Sequence, residues 1–181
     1  SATIVNILDG AKRDKWFRPS DVKVAPDGSL IVADWYDPGV GGHNMRDLDR
    51  GRLFRVTPKG HKGYKPPKLN FKTIEGLIAA IKNPNHAARY VAWMELHKRQ
   101  NDAKPALLKL AGDDNPRCRA RALWLLSQIK GNQKATVGMA LKDKDDNIRG
   151  MALRIARQHK LDVIPLISKL SGDGSALVRR E

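Results

Sequence analysis

The residues able to do chemistry gather between Asp34 and Thr57, in the stretch DWYDPGVGGHNMRDLDRGRLFRVT. It holds four acids (Asp34, Asp37, Asp47, Asp49), four arginines (Arg46, Arg50, Arg52, Arg55), four glycines and His43. Gly39, Gly41 and Gly42 let a backbone approach a ligand closely. The His43 imidazole can serve as a base or a hydrogen-bond donor near neutral pH. Arg46, Arg50 and Arg52 can fork onto carboxylates, and Asp34, Asp37 and Asp47 offer the hard oxygens that Ca²⁺ takes. The competing reading is a loop whose charges satisfy one another: Asp47 with Arg50, Asp49 with Arg52, and Asp34 capping a turn.

Little else in the chain has catalytic spacing. His61, His86, His97 and His159 are scattered without the intervals of a zinc site. HExxH, GxSxG, the P-loop and a strand-linked GxGxxG are all absent from the sequence. Cys118 is the lone cysteine, which excludes an internal disulfide and a CxxC motif. It lies in RCRARALWLL, a helical pattern, and reads as a buried structural thiol.

The elements that must position the loop are short strands. Thr3–Leu8 is β-branched and apolar, a strand candidate. Val22 and Val24 alternate with Asp21 and Lys23, as on a half-buried strand. Pro26-Asp27-Gly28 marks a tight turn; Leu30–Trp35 and Arg52–Val56 read as the next two strands. Strand, turn, strand ending in Ala-Asp, loop, strand is the pattern of one β-propeller blade. A lone blade exposes two flat faces and is barely stable. We therefore expect its partner blades to lie in missing N-terminal sequence. The chain starts at Ser1 without a Met and breaks off at LVRRE within a repeat, so both ends are expected to be cut from something larger. Residues 61–72 (HKGYKPPKLNFK) read as a basic, semi-rigid linker.

From Thr73 a different signal takes over. Arg89, Arg119, Arg149 and Arg179 are thirty residues apart, and so are Asn83, Asp113, Asp143 and Asp173. Ala92, Ala122 and Ala152 keep the same interval, as do Leu77, Leu107, Val137 and Ile167. Four ladders on one period predict a solenoid of helix pairs. First helices are expected near 74–82, 104–111, 134–142 and 163–170, second helices near 86–99, 116–129, 147–159 and from 175 onward. The Asn or Asp closes the inter-helix turn and caps the second helix; the Arg reaches its own or the next repeat's acid; the Ala lets helices approach. Trp93 and Trp124 read as core, so base-stacking aromatics are not interleaved with the extra cations Lys98, Arg99, Arg117, Arg121, Arg154, Arg157 and Arg180.

The expected fold class is thus α+β. A small antiparallel sheet, the last propeller blade, occupies residues 1–60; a linker follows over 61–72; and about three and a half repeats fill 73–181. The 181 residues suffice for a real core, and no apolar run is long enough to cross a bilayer. A formal charge of +15 favours an acidic protein partner or nucleic acid.

Two resemblances add to this. Residues 73–181 resemble short-form HEAT repeats. The run WFRPSDVKVAPDGSLIVADWYDPGVGGHNMRDLDRGRLFRVTPKG, with IKNPNHAARYVAW and DDNPRCRARALWLL, resembles the large membrane-bound dehydrogenases of planctomycete and verrucomicrobial genomes. That family's order is a propeller like those of sugar dehydrogenases using pyrroloquinoline quinone, then HEAT repeats, then a c-type cytochrome. The resemblance implies a secreted or periplasmic sugar or alcohol dehydrogenase, with quinone and calcium held by the whole propeller and the repeats as spacer. Its partners would be the remaining blades and the cytochrome domain. On the matching residues it implies quinone contacts from Arg50 and Arg52 in DRGR and a role for His43 in GGH; a catalytic His43, a contact from Arg46 and calcium oxygens from Asp34, Asp37 and Asp47 are the expectations from residue type. The chain alone, lacking the other blades and the haem motif, is expected to bind no cofactor and to be inactive. The alternative function is a basic repeat scaffold without catalysis.

Overall fold

The computed structural model describes residues 3–10, 15–37, 50–61, 65 and 67–181. The chain forms two compact units, one of Ser1–Lys68 with Asn83–His86, the other of Leu69–Lys82 with Ala87–Glu181.

The first unit is a three-stranded antiparallel sheet in the order β1 (Pro19–Val24), β2 (Leu30–Asp34), β3 (Arg52–Val56). The β1–β2 hairpin closes through Gly28 N donating to Ala25 O and Ala25 N donating to Ser29 O. Gly28 takes φ +88°, the left-handed conformation that a three-residue hairpin loop requires. Asp27 secures the turn by accepting from Ser29 N at 3.0 Å and Ser29 Oγ at 2.7 Å. Register pairs Val22 with Val32 and Val32 with Phe54, so the apolar row crosses all three strands. Only the centre of that row is covered. Val32 is 7% exposed, whereas Val22 is 54% exposed; Leu53, on the other face, is 76% exposed. Thr3–Leu8 is not strand among the described residues, and Ile4, Val5 and Ile7 are exposed. β-branching favours a strand only where a neighbouring strand supplies hydrogen bonds and packing, and among the described residues none does.

The second unit is helical: α1 (Ile74–Lys82), α2 (His86–Arg99), α3 (Lys104–Leu110), α4 (Pro116–Gln128), α5 (Gln133–Ala140), α6 (Asp146–Gln158), α7 (Ile164–Leu170) and α8 (Ala176–Arg180), with a 3-10 turn at Gln100–Ala103. These limits fall within two residues of those expected from the sequence. The core lies along the seams between helices, where Leu77, Ile81, Leu96, Leu107, Leu125 and Leu126 are buried. It continues through Val137, Ile148 and Ile155. Ala92, Ala122 and Ala152 are fully buried; a larger side chain there would force the backbones apart. Ile167 departs from its ladder and is 50% exposed. At Gly76 an added Cβ would run into Asn70 O, so the segment before α1 packs where only glycine allows it.

Turn chemistry sets the helix starts. Asp113, Asp143 and Asp173 each accept from the backbone N–H two residues on, at 2.8–2.9 Å. The helix caps are the residues that follow. Asn115 accepts from Arg117 N at 3.0 Å, and Asp145 from Asn147 N and Ile148 N at 2.9 and 3.3 Å. The ladder acids therefore shape the turn, and the capping expected of them passes to Asn115 and Asp145.

Candidate functional site

In the sheet unit, β2 and β3 bring Asp34 and Arg52 into register as Cα partners. Asp34 is buried at the strand end. Its Oδ1 accepts from Arg18 N at 2.7 Å and Tyr36 N at 3.1 Å, and its Oδ2 from Arg52 Nε at 2.7 Å, with Arg52 Nη2 at 2.5 Å. Burial pushes the carboxyl up, but these donors outweigh it and hold the group below its ordinary range. Three hydrogen bonds and the charge of Arg52 Nη2 thus engage Asp34 within its own unit. The Arg52 guanidinium lies over the Tyr36 ring at 4.9 Å and the Phe54 ring at 5.2 Å. Arg50 approaches Tyr36 from 5.7 Å, its Nη1 donating to the phenol oxygen at 3.4 Å. Tyr36 has φ 51°, rare for an aromatic residue, and the turn formed around Asp34 accounts for it.

Of the residues singled out by sequence, Asp34, Arg50 and Arg52 therefore come together. Asp37 is half-buried and already engaged. His43, Arg46, Asp47 and Asp49 lie outside the described residues. Among the described residues Arg52 pairs with Asp34; the expected Asp49–Arg52 pair lies outside the described residues. Tyr36, which the sequence reading passed over, sits between the two arginines. Its signal was its place two residues after a buried Asp. Among the described residues no group of three or more His, Cys, Asp or Glu could hold a metal ion.

The helical unit carries a relay of charges. Arg119 Nε and Nη2 bind Asp143 at 2.9 and 2.8 Å, while its Nη1 donates to Asp113 O and Asp114 O at 3.0 Å. Arg149 repeats this with Asp173 at 2.7 and 2.8 Å and with the carbonyls of Asp143 and Lys144. Arg179 Nη1 donates to Asp173 O. The first position differs, because Lys82 Nζ occupies Asp113 at 2.5 Å. Burial pushes Asp143 up, but Arg119 and the Asp145 N–H hold it below the ordinary range.

Arg149 and the Ser175 N–H pull the Asp173 carboxyl down to about 2. A carboxyl depressed by folding adds stability above its unfolded value, lost as pH falls through the folded one. The window for Asp173 runs from about 4 in the unfolded chain to about 2 in the folded one. Thermal melts followed by circular dichroism should show the helical unit losing stability across that window. Asp173→Asn should be less stable at neutral pH and show a flatter acid limb; an unchanged limb would refute the linkage.

Outward from this relay, the second helices present a stripe: Tyr90, Val91 and Met94 on α2, Arg117, Arg121 and Trp124 on α4, and Arg154 and Arg157 on α6. Burial pushes the Arg121 guanidinium down, helped by the cations Arg89 and Arg117. Trp124 is half-buried, packing one side against the core cluster of Leu123, Ile148 and Ile155 while lining a groove with Arg117 and Arg154. The spacing 117, 121, 124 carried that information, since those positions share one side of a helix.

Paired helices joined by Asp turns and tied by inter-pair arginines define a helical-repeat protein. Consistent with this, residues 74–137 match the HEAT repeat family. Residues 10–60 match a family described as a domain of unknown function (DUF7133). No curated protein matches the chain. Among the described residues no helix is long and apolar enough to cross a membrane.

Proposed function

We propose that the chain is a helical-repeat scaffold that binds an anionic partner along the outward stripe of its second helices, without chemistry of its own. The observation that carries this is the unequal use of charge. Asp143 and Asp173 are bound by Arg119 and Arg149, whereas Arg117 has no acid within ion-pairing distance among the described residues. The ladder thereby removes acids from the field and leaves a surplus of cations outside. A thirty-residue repeat belongs to the same reading, supported by the like contacts of Arg119 and Arg149. Retention on a heparin column is the test. The intact chain is expected to elute at high salt and an Arg117→Glu, Arg121→Glu variant much earlier. Equal elution of the two would refute the reading.

A second reading has one observation in its favour, the Tyr36–Arg50–Arg52 stack next to the loop that carries His43, Arg46 and Asp47. Here the sheet is the last blade of a propeller in a longer secreted or periplasmic quinone-dependent dehydrogenase, the repeats being a spacer toward a c-type cytochrome. The exposure of Val22, Trp35 and Leu53 is what a blade awaiting neighbours would show. Asp34 and Arg52 are paired with each other, so contacts from either to calcium or quinone would require that pair to open. Arg50, with Asp37 and the loop residues, would have to make those contacts. Titrating the full-length protein with pyrroloquinoline quinone and Ca²⁺ tests this reading. Binding that Arg50→Ala leaves unchanged would remove Arg50 from the site, and absence of binding would remove the reading.

A further inference from the structure

At the first position of the inter-helix turns, Asp113, Asp143 and Asp173 are acids, whereas Asn83 is an amide. Asn83 Oδ1 accepts from Asn85 N at 2.8 Å, the same bond that the acids make in their turns. An aspartate would serve equally well there. What a carboxylate cannot do is donate, and Asn83 Nδ2 donates to Pro26 O at 2.9 Å. Asn85 Nδ2 likewise donates to Val24 O. Both acceptors belong to the β1–β2 hairpin, 57 and 61 residues earlier in the chain. Pro84, between the two amides, lies at the hairpin tip, where a Cβ added to Gly28 would stand 3.2 Å from Pro84 Cγ. Ala25 in the same hairpin is 8% exposed, although β1 before it is exposed throughout. Asn83–His86 accordingly belongs to the sheet unit, while Leu69–Lys82 and the chain from Ala87 belong to the helical one.

We propose that Asn83 and Asn85 form a clasp that completes the sheet unit, two amides that hold the hairpin by donating to Pro26 O and Val24 O. The sheet is then a discontinuous fold, and its three strands keep their pairing only while the turn between α1 and α2 is in place. A sheet of three short strands has little stability of its own, so two hydrogen bonds and the contact of Pro84 weigh heavily in it. The Tyr36–Arg50–Arg52 stack rests on β2 and β3 and inherits the same condition. A partner that displaced Asn83–His86 would release the hairpin and the stack together. This inference is independent of the scaffold reading, because it uses none of the cations on the stripe.

Amide hydrogen exchange on the full chain carrying Asn83→Asp and Asn85→Asp together tests this. The double change keeps both side-chain acceptors and reproduces the acids of the α5–α6 turn, Asp143 and Asp145, so the joint between α1 and α2 retains its chemistry. It removes both amide donors and sets a carboxylate oxygen against each hairpin carbonyl. Protection at Val32 and Phe54 is expected to fall by at least about tenfold. Protection at Leu125 and Ile155 in the helical unit should stay within about twofold of the unaltered chain. Unchanged protection at Val32 and Phe54 would overturn the proposal, as would an equal loss in both units. So would the absence of protection at Val32 and Phe54 in the unaltered chain, since the clasp would then be holding nothing.

Discussion

Arg119→Ala is expected to destabilise the helical unit by about 3 kcal/mol, the range seen when one partner leaves a buried ion pair. The arginine and Asp143 side chains are only 7% and 9% exposed, so water cannot replace the lost partner. Removing the guanidinium orphans the Asp143 carboxylate and strips donors from Asp113 O and Asp114 O in the turn before α4. The drop in melting temperature should be about 10 °C or more for a unit of this size. Arg119→Lys retains the charge but not the planar fork, and should recover only part of the loss. The double change Arg119→Met, Asp143→Leu should recover most of it, because no charge is then left buried alone. A double variant as unstable as Arg119→Ala would mean that the pair itself, not the orphaned acid, sets the cost.

Asp34→Ala should be comparably severe for the sheet. The Asp34 side chain is fully buried and satisfies two backbone donors and Arg52 at once. Its loss would cost about 3 kcal/mol, more than a small three-stranded sheet holds in reserve. Tyr36 would lose the hydrogen bond that keeps it at positive φ, and the stack with Arg50 and Arg52 would dissolve. Amide hydrogen exchange at Val32 and Phe54 reads this out: protection should vanish there and persist at Leu125 and Ile155 in the helical unit. Asp34→Asn tests the charge alone, since it keeps the shape but cannot hold a guanidinium pair. Unaltered exchange in Asp34→Ala would show that the register of β2 and β3 is held by other means.

Much of the helical half could be read from residue order, because each of its rules is local. Alternation of small and large apolar residues set the buried sides, and Asp or Asn followed by Pro or a polar residue set the turns. The relay from Arg119 to Asp143 was open to two geometries, own acid or next acid. Only coordinates decide between them, since one fork serves both the next acid and its own turn's carbonyls. Trp124 was legible as a residue of the apolar helix face, and it does pack against the core, though only half-buried at its edge. In the sheet the strands at Leu30–Asp34 and Arg52–Val56 were legible, while Thr3–Leu8 was not, because strand pairing depends on a neighbour that composition does not announce. The pairing of Asp34 with Arg52 is likewise a matter of register, not of residue type.

The double grip of Arg119 and Arg149 has a mechanical corollary. Each guanidinium is bolted to one turn and latched to the next, so adjoining helix pairs share a fastening that neither can release alone. Load applied to one end should travel along this line of latches and then free the pairs in blocks, giving a sawtooth force trace in place of a smooth one.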